Sequence, residues 1–176
     1  MAFTAKSVAN YFFDLAKSQS DHSVSPMKMQ KLVYFAHGWS LGLTGNPLID
    51  EQVQAWPYGP VIPTLYHEFK HFGNGEITDY ATELNWGNSG GRLGEFEVIT
   101  PQIPNDASDR TQYSRALLNK VWEIYRPYSP IQLSNITHEP GTPWHSVSVN
   151  FSGGIPKDTA IPNEIIREYF SKLAGK

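Results

Sequence analysis

The sequence predicts a mainly α domain of the α+β class: a compact bundle of six or seven helices with a small antiparallel β-sheet or hairpin. Three observations carry this expectation. Apolar residues recur at helical spacing, as in Met29, Leu32, Val33, Ala36, Trp39 and Leu43. Hydroxyl–proline pairs stand at Ser25-Pro26, Ser129-Pro130 and Thr142-Pro143, each a capping oxygen followed by a proline suited to the first helical turn. Stretches of strand character are few and short. The 176 residues suit a single domain over 1–176, and a chain of this length buries roughly 70% of the surface it exposes when unfolded.

The elements follow in order. Thr4 caps a first helix carrying Val8, Tyr11, Phe12, Leu15 and Ala16 on one side. Residues 18–24 are polar and read as a loop. A second helix runs from Pro26 to about Thr44, where Gly45 stops it. Tyr34 and Phe35 widen its apolar stripe, so it is expected to be central and mostly buried. Residues 52–56 alternate in character and read as a strand. Tyr58-Gly59-Pro60 turns the chain into a third helix over 61–71, closed by Gly73. Residues 74–106 are irregular, with tight turns at Gly87, Gly90, Gly91 and Gly94. Within them, 96–99 read as a second strand that pairs with the first. A fourth helix over 108–126 places Leu117, Leu118, Val121, Trp122 and Tyr125 together. Two short helices start at the later hydroxyl–proline pairs. The last helix spans 162–173, with Ile165, Ile166, Tyr169, Phe170 and Leu173 apolar.

Charge and composition exclude several functions. A net charge of −3 argues against direct nucleic-acid binding, which calls for a basic patch. There are no cysteines, so disulfides and thiolate metal sites are ruled out. Lys6, Asp14 and Lys17 interrupt the N-terminal segment, which lacks the apolar core of a signal peptide. No apolar run reaches the roughly 18 residues of a membrane span. A cytoplasmic protein with no membrane or nucleic-acid partner is expected.

Two catalytic signatures occur, and local structure argues against both. Gly38-Trp39-Ser40-Leu41-Gly42 spells a hydrolase nucleophile elbow, which needs a strand before the serine and a helix after it. Ser40 instead falls within the second helix, so Gly38 and Gly42 read as small residues that permit close helix packing. His67-Glu68-Phe69-Lys70-His71 spells a zinc-hydrolase motif with histidines at the correct spacing. At about 100° per residue, however, Leu65, Phe69 and Phe72 cluster within about 60° of one another, opposite His67 and His71. If the phenyl rings face the core, the imidazoles face solvent or a partner. A third ligand would have to come from Glu83, Glu95 or Glu97, in irregular sequence. The zinc-dependent hydrolase with His67 and His71 as ligands is thus the weaker alternative, and neither catalytic residues nor a cofactor are expected. The glycines at 87–94 match no phosphate-binding loop. His138, Glu139, Trp144 and His145 could form a polar cluster, although helix-end roles are commoner.

One block is distinctive as a whole. It comprises residues 27–39 (MKMQKLVYFAHGW), Leu43-Thr44-Gly45-Asn46-Pro47-Leu48, Ala55-Trp56-Pro57-Tyr58-Gly59-Pro60-Val61, and Tyr66-His67-Glu68-Phe69-Lys70 with Phe72-Gly73. It closely resembles the Panacea domain of SocA-like antitoxins and GepA-like phage-associated proteins. Leu133-Ser134-Asn135-Ile136-Thr137-His138 with Pro143-Trp144 resembles the C-terminal signature of that family. The resemblance runs from Val8 to Phe170 and is looser between 74 and 107. It implies an antitoxin, in a setting of phage defence, that neutralises a cognate toxin by protein–protein contact. One family member instead resembles a proteolytic adaptor, which makes a protease the alternative partner. The resemblance implies no catalytic centre. Met29 and Val33 stand where leucine is commoner, and Pro57 where a polar residue is usual.

Trp56, Tyr58, Tyr66, His67, His71 and Trp144 are the candidate partner-binding residues, because so many rings cannot share one core and aromatic anchors dominate protein interfaces. The net negative charge would suit a basic toxin surface.

Overall fold

The computed structural model describes residues 2–19, 23–85 and 96–175. Among them are seven α-helices and two separate antiparallel hairpins. None of these helices is long and apolar enough to cross a membrane.

The N-terminal helix, α1 (Ala5–Lys17), begins where Thr4 accepts a hydrogen bond from the Ser7 amide. Both carboxylate oxygens of Glu51 accept from the Ala5 amide, at 2.9 and 2.8 Å, which satisfies a helix-end donor from across the chain. Asn10, fully buried, bonds the backbone of Ala81 in both directions and the carbonyl of Pro101 at 2.9 Å. One side chain thereby ties the irregular middle of the chain to the bundle.

The central helix is α2 (Pro26–Thr44), capped by Ser25 and ended by Gly45. It packs against α1, against the helices over Pro63–Phe69, Asp109–Tyr125, Pro130–His138 and Asn163–Leu173, and against the strand over Gly59–Val61, and every residue from Lys28 to Gly38 is buried. Five polar residues of this helix are buried, and each is hydrogen-bonded; Lys28 donates to the carbonyl of Arg126 at 2.6 Å. Gln30 bonds both backbone groups of Ile62. His37 bridges Ile49 and Asn163. Ser40 donates to the carbonyl of Asn46 at 2.9 Å. Lys31 reaches two carbonyls described below. Leu43, expected in the apolar stripe, is 36% exposed at the end of the helix.

After α2 the chain forms β1 (Gln54–Trp56) and β2 (Gly59–Val61), joined by Pro57 and Tyr58. The third helix, α3 (Pro63–Phe69), is shorter than the expected 61–71, because Val61 is a strand residue and Ile62 is extended before Pro63. Proline disfavours helical geometry in the residue that precedes it. A 3-10 turn over Lys70–Phe72 follows.

The expected pairing of 96–99 with the first strand does not form. That strand, β4 (Glu97–Ile99), pairs with β3 (Glu83–Asn85). Both edges of β1 are already taken, by β2 on one side and residues 159–161 on the other, where Ala55 donates to Thr159 and Ile161 to Val53, both at 2.8 Å. Gly87, Gly90, Gly91, Gly94 and Glu95 lie outside the described residues.

The remaining helices are α4 (Asp109–Tyr125), α5 (Pro130–His138), α6 (Pro143–Ser148) and α7 (Asn163–Leu173). The hydroxyl–proline starts hold: Ser129 and Thr142 each accept a capping bond, and Ser129 forms a reciprocal pair with Gln132. In α7, Ile166 and Phe170 are buried, whereas Leu173 is 55% exposed. A Cβ on Gly38 would lie 2.2 Å from the Phe170 ring, and one on Gly42 2.6 Å from the Phe170 Cβ. The glycines of the elbow-like motif therefore serve close packing between α2 and α7, and its serine is a helix residue bonded to Asn46.

Candidate protein-docking site

The short loop between β1 and β2 organises the site. Pro57 supplies the fixed φ of a tight turn, and Gly59 takes a φ of +103°, which other residues rarely adopt. A Cβ on Gly59 would also lie 2.6 Å from both Lys31 Nζ and Thr137 Oγ1, so this position has room only for hydrogen.

Side chains distant in sequence occupy the loop carbonyls. The Trp144 indole donates to Trp56 at 2.7 Å. The His138 ring lies between two carbonyls, with Nδ1 2.7 Å from that of Ser134 and Nε2 3.1 Å from that of Pro57. Tyr58 accepts from Lys31 Nζ at 2.7 Å and from Ser134 Oγ at 3.0 Å. Pro60 accepts from Lys31 Nζ at 3.1 Å. The His138 and Trp144 rings lie against each other at 3.9 Å between centroids. Donors from α2, α5 and α6 thus converge on one loop. The lysine is only 1% exposed. Burial pushes its ammonium down to a pKa of about 7, because desolvation disfavours the charged form.

Anchored from behind, the loop presents rings to the front. Tyr58 is 71% exposed and Tyr66, on α3, is 42% exposed. Trp56 is half-buried and meets Tyr66 edge to face at 4.8 Å, with its indole nitrogen given to Gln54. Together with Met27 and Val61 they wall a groove of about 310 Å³, with Lys70 also lining it.

The remaining candidates, His67, His71 and Trp144, do not line this groove. His67 and His71 are both exposed, while Leu65 and Phe69 are buried and Phe72 half-buried, so the phenyl rings do turn inward and the imidazoles outward. His67 contacts the Tyr66 ring and His71 the Phe72 ring. Glu68 pairs with Lys6 at 2.7 Å and accepts from the Thr82 amide at 2.8 Å, which joins α3 to α1. Among the described residues no group of three His, Asp or Glu side chains is placed to hold a metal ion. Trp144 sits behind the loop as one of its donors. Sequence reasoning named Trp56, Tyr58, Tyr66 and Trp144 but missed Lys31, Ser134 and Met27. The available signal was a lysine inside the apolar stripe of a central helix.

A family model described as "Antitoxin SocA-like, Panacea domain" matches residues 29–145. Its span runs from just before Lys31 to just beyond Trp144 and so encloses every donor to the loop. The chain is 29% identical over 166 residues to Antitoxin SocA of Caulobacter vibrioides (strain NA1000 / CB15N), a match covering 94% of this chain and 81% of that protein. No solved structure matches. With two thirds of its length under the family model, and with the separated signature blocks meeting at one loop, the chain belongs to the SocA-like antitoxin family defined by the Panacea domain.

Proposed function

We propose that this protein is an antitoxin that neutralises a cognate protein toxin by direct contact, with the ring-bearing face of the β1–β2 loop and α3 as its binding surface. The observation that carries the reading is the pairing of exposed aromatic rings with a loop whose backbone is held from behind. Tyrosine and tryptophan are the usual anchors of interfaces. A surface fixed before binding loses less conformational freedom when a partner docks. The similarity to a protein named Antitoxin SocA supports the same direction.

A non-enzymatic role accords with the bonding of the two catalytic-looking motifs. Ser40 is committed to Asn46 and Glu68 to Lys6 and Thr82. Neither side chain has the nucleophile–base arrangement that covalent or metal-assisted hydrolysis needs.

The test is co-expression with the neighbouring open reading frame. The neighbour alone should stop growth, and this chain should restore it without shortening the half-life of the toxin. A toxin that is degraded faster when the chain is present would point to proteolytic delivery instead. Growth arrest that the chain does not relieve would contradict the antitoxin role.

A further inference from the structure

The groove beside the loop has a charge opposite to that of the whole chain. Its described lining offers the exposed ammonium of Lys70 and no carboxylate, on a protein of net charge −3; Lys31 lies buried beneath. The acid of the adjoining helix, Glu68, is spent on Lys6. Glu76 lines a separate polar hollow with Lys28, on the far side of Asn74. Lys70 is exposed and has no ion-pair partner among the described residues.

The floor of the groove is already satisfied in its hydrogen bonding. Gln30 is given to Ile62, the Trp56 indole to Gln54, and Lys31 to the loop carbonyls. A polar group pushed against this floor would lose its bonds to water and gain few in return. Apolar surface placed there gains burial against Met27, Trp56, Val61 and Tyr66. Methionine adapts its shape to irregular ligands. At about 310 Å³ the space lies at the small end of ligand pockets and suits the side chains of one short segment.

We propose that this groove docks a short segment of the toxin in which an apolar side chain stands beside a carboxylate, the apolar group seated between Met27, Trp56 and Tyr66 and the carboxylate paired with Lys70. The proposal rests on the reading that a toxin is bound, and it reverses the charge that the net composition suggests for the partner. The contact is local: a basic toxin surface could still meet acidic residues elsewhere, but the anchor is acidic.

The experiment selects a random heptapeptide display library on the immobilised full-length chain and measures the best peptides by fluorescence polarisation. The expected peptides carry Leu, Ile, Phe or Trp within two positions of Asp or Glu. Lys70→Glu should weaken them about tenfold, Lys70→Arg should retain them, and a new selection on Lys70→Glu should favour Lys or Arg. Tyr66→Ala should weaken them without lowering Tm by more than a few degrees. Enrichment of basic peptides by the natural chain, no enrichment at all, or unchanged binding to Lys70→Glu would each overturn the proposal. So would a dimer of the chain that Lys70→Glu dissociates, since the groove would then hold a second copy. Growth rescue by the natural chain is read separately. If rescue persists while the peptide selection fails, the groove proposal falls and the antitoxin role stands.

Discussion

The ammonium of Lys31 lies 2.7 Å from the carbonyl oxygen of Tyr58 and 3.1 Å from that of Pro60, and it is almost fully buried. A side chain on the central helix therefore holds the backbone of the most exposed ring at the site. The arrangement has a cost, since a buried ammonium prefers to lose its proton.

That cost has a sign that can be measured. The folded pKa of Lys31 is about 7 and the unfolded value 10.5. Between these values the unfolded chain binds more protons, so stability rises with pH. From pH 7 to pH 9 the gain should be about 2 kcal/mol. Urea unfolding at pH 7, 8 and 9 should show this rise in the natural chain and a smaller one in Lys31→Met. Lys28, lowered by burial in the same direction, keeps the remaining slope above zero. Equal slopes in the two proteins would refute the assignment. Tyrosine ionisation adds little here, because the unfolded value of 10.0 lies above this window; the burial of Tyr34 and Tyr125 lowers stability only as pH rises towards and past it.

His37 should dominate the acid side. Ile49 donates its amide to Nδ1 at 3.4 Å, so Nε2 carries the ring proton and gives it to Asn163 at 2.9 Å. Burial lowers the pKa of this ring from 6.5, and the Asn163 bond only partly opposes it. With a depressed folded value, the unfolded chain takes up the proton first as pH falls. Stability should therefore drop below about pH 6.5. His37→Gln should show a shallower drop between pH 6.5 and 5 in the same unfolding measurement. An identical acid slope in the variant would show that the ring is protonated without penalty.

The elbow-like motif separates packing from chemistry. Gly38→Ala should lower stability by about 1–3 kcal/mol, because the new methyl meets the Phe170 ring. Gly38→Ala combined with Phe170→Leu should recover part of that loss. Ser40→Ala should cost about 1 kcal/mol for the bond to Asn46 and leave toxin neutralisation intact. Abolished neutralisation in a folded Ser40→Ala protein would restore the serine as a functional group.

Local signals made the helices legible. Ser25-Pro26, Ser129-Pro130 and Thr142-Pro143 each start a helix, the hydroxyl accepting a bond from the amide three residues on. The inward turn of Leu65 and Phe69 was legible too, since it depends only on spacing along one helix. Three-residue strands are too short to show a period, so Val61 was absorbed into the helix after it and β4 was matched to the wrong partner. The partners of the loop were hidden for another reason. Lys31, Ser134, His138 and Trp144 meet the 56–60 loop only through the tertiary fold, across separations of up to 88 positions. Lys31 stands out only as a lysine inside an apolar stripe, the other residue types are ordinary at helix surfaces and ends, and nothing local names the turn as their partner.

The central claim is that rings at the front of the held loop bind and silence a toxin. Its most direct test titrates the purified neighbouring-gene toxin with the natural chain and with a Tyr58→Ala/Tyr66→Ala variant, reading residual toxin activity. The natural chain should inhibit fully at one equivalent. The variant, with both rings exposed and its Tm near that of the natural chain, should leave the toxin active at the same ratio. Full inhibition by the variant would place the interface elsewhere and contradict the account.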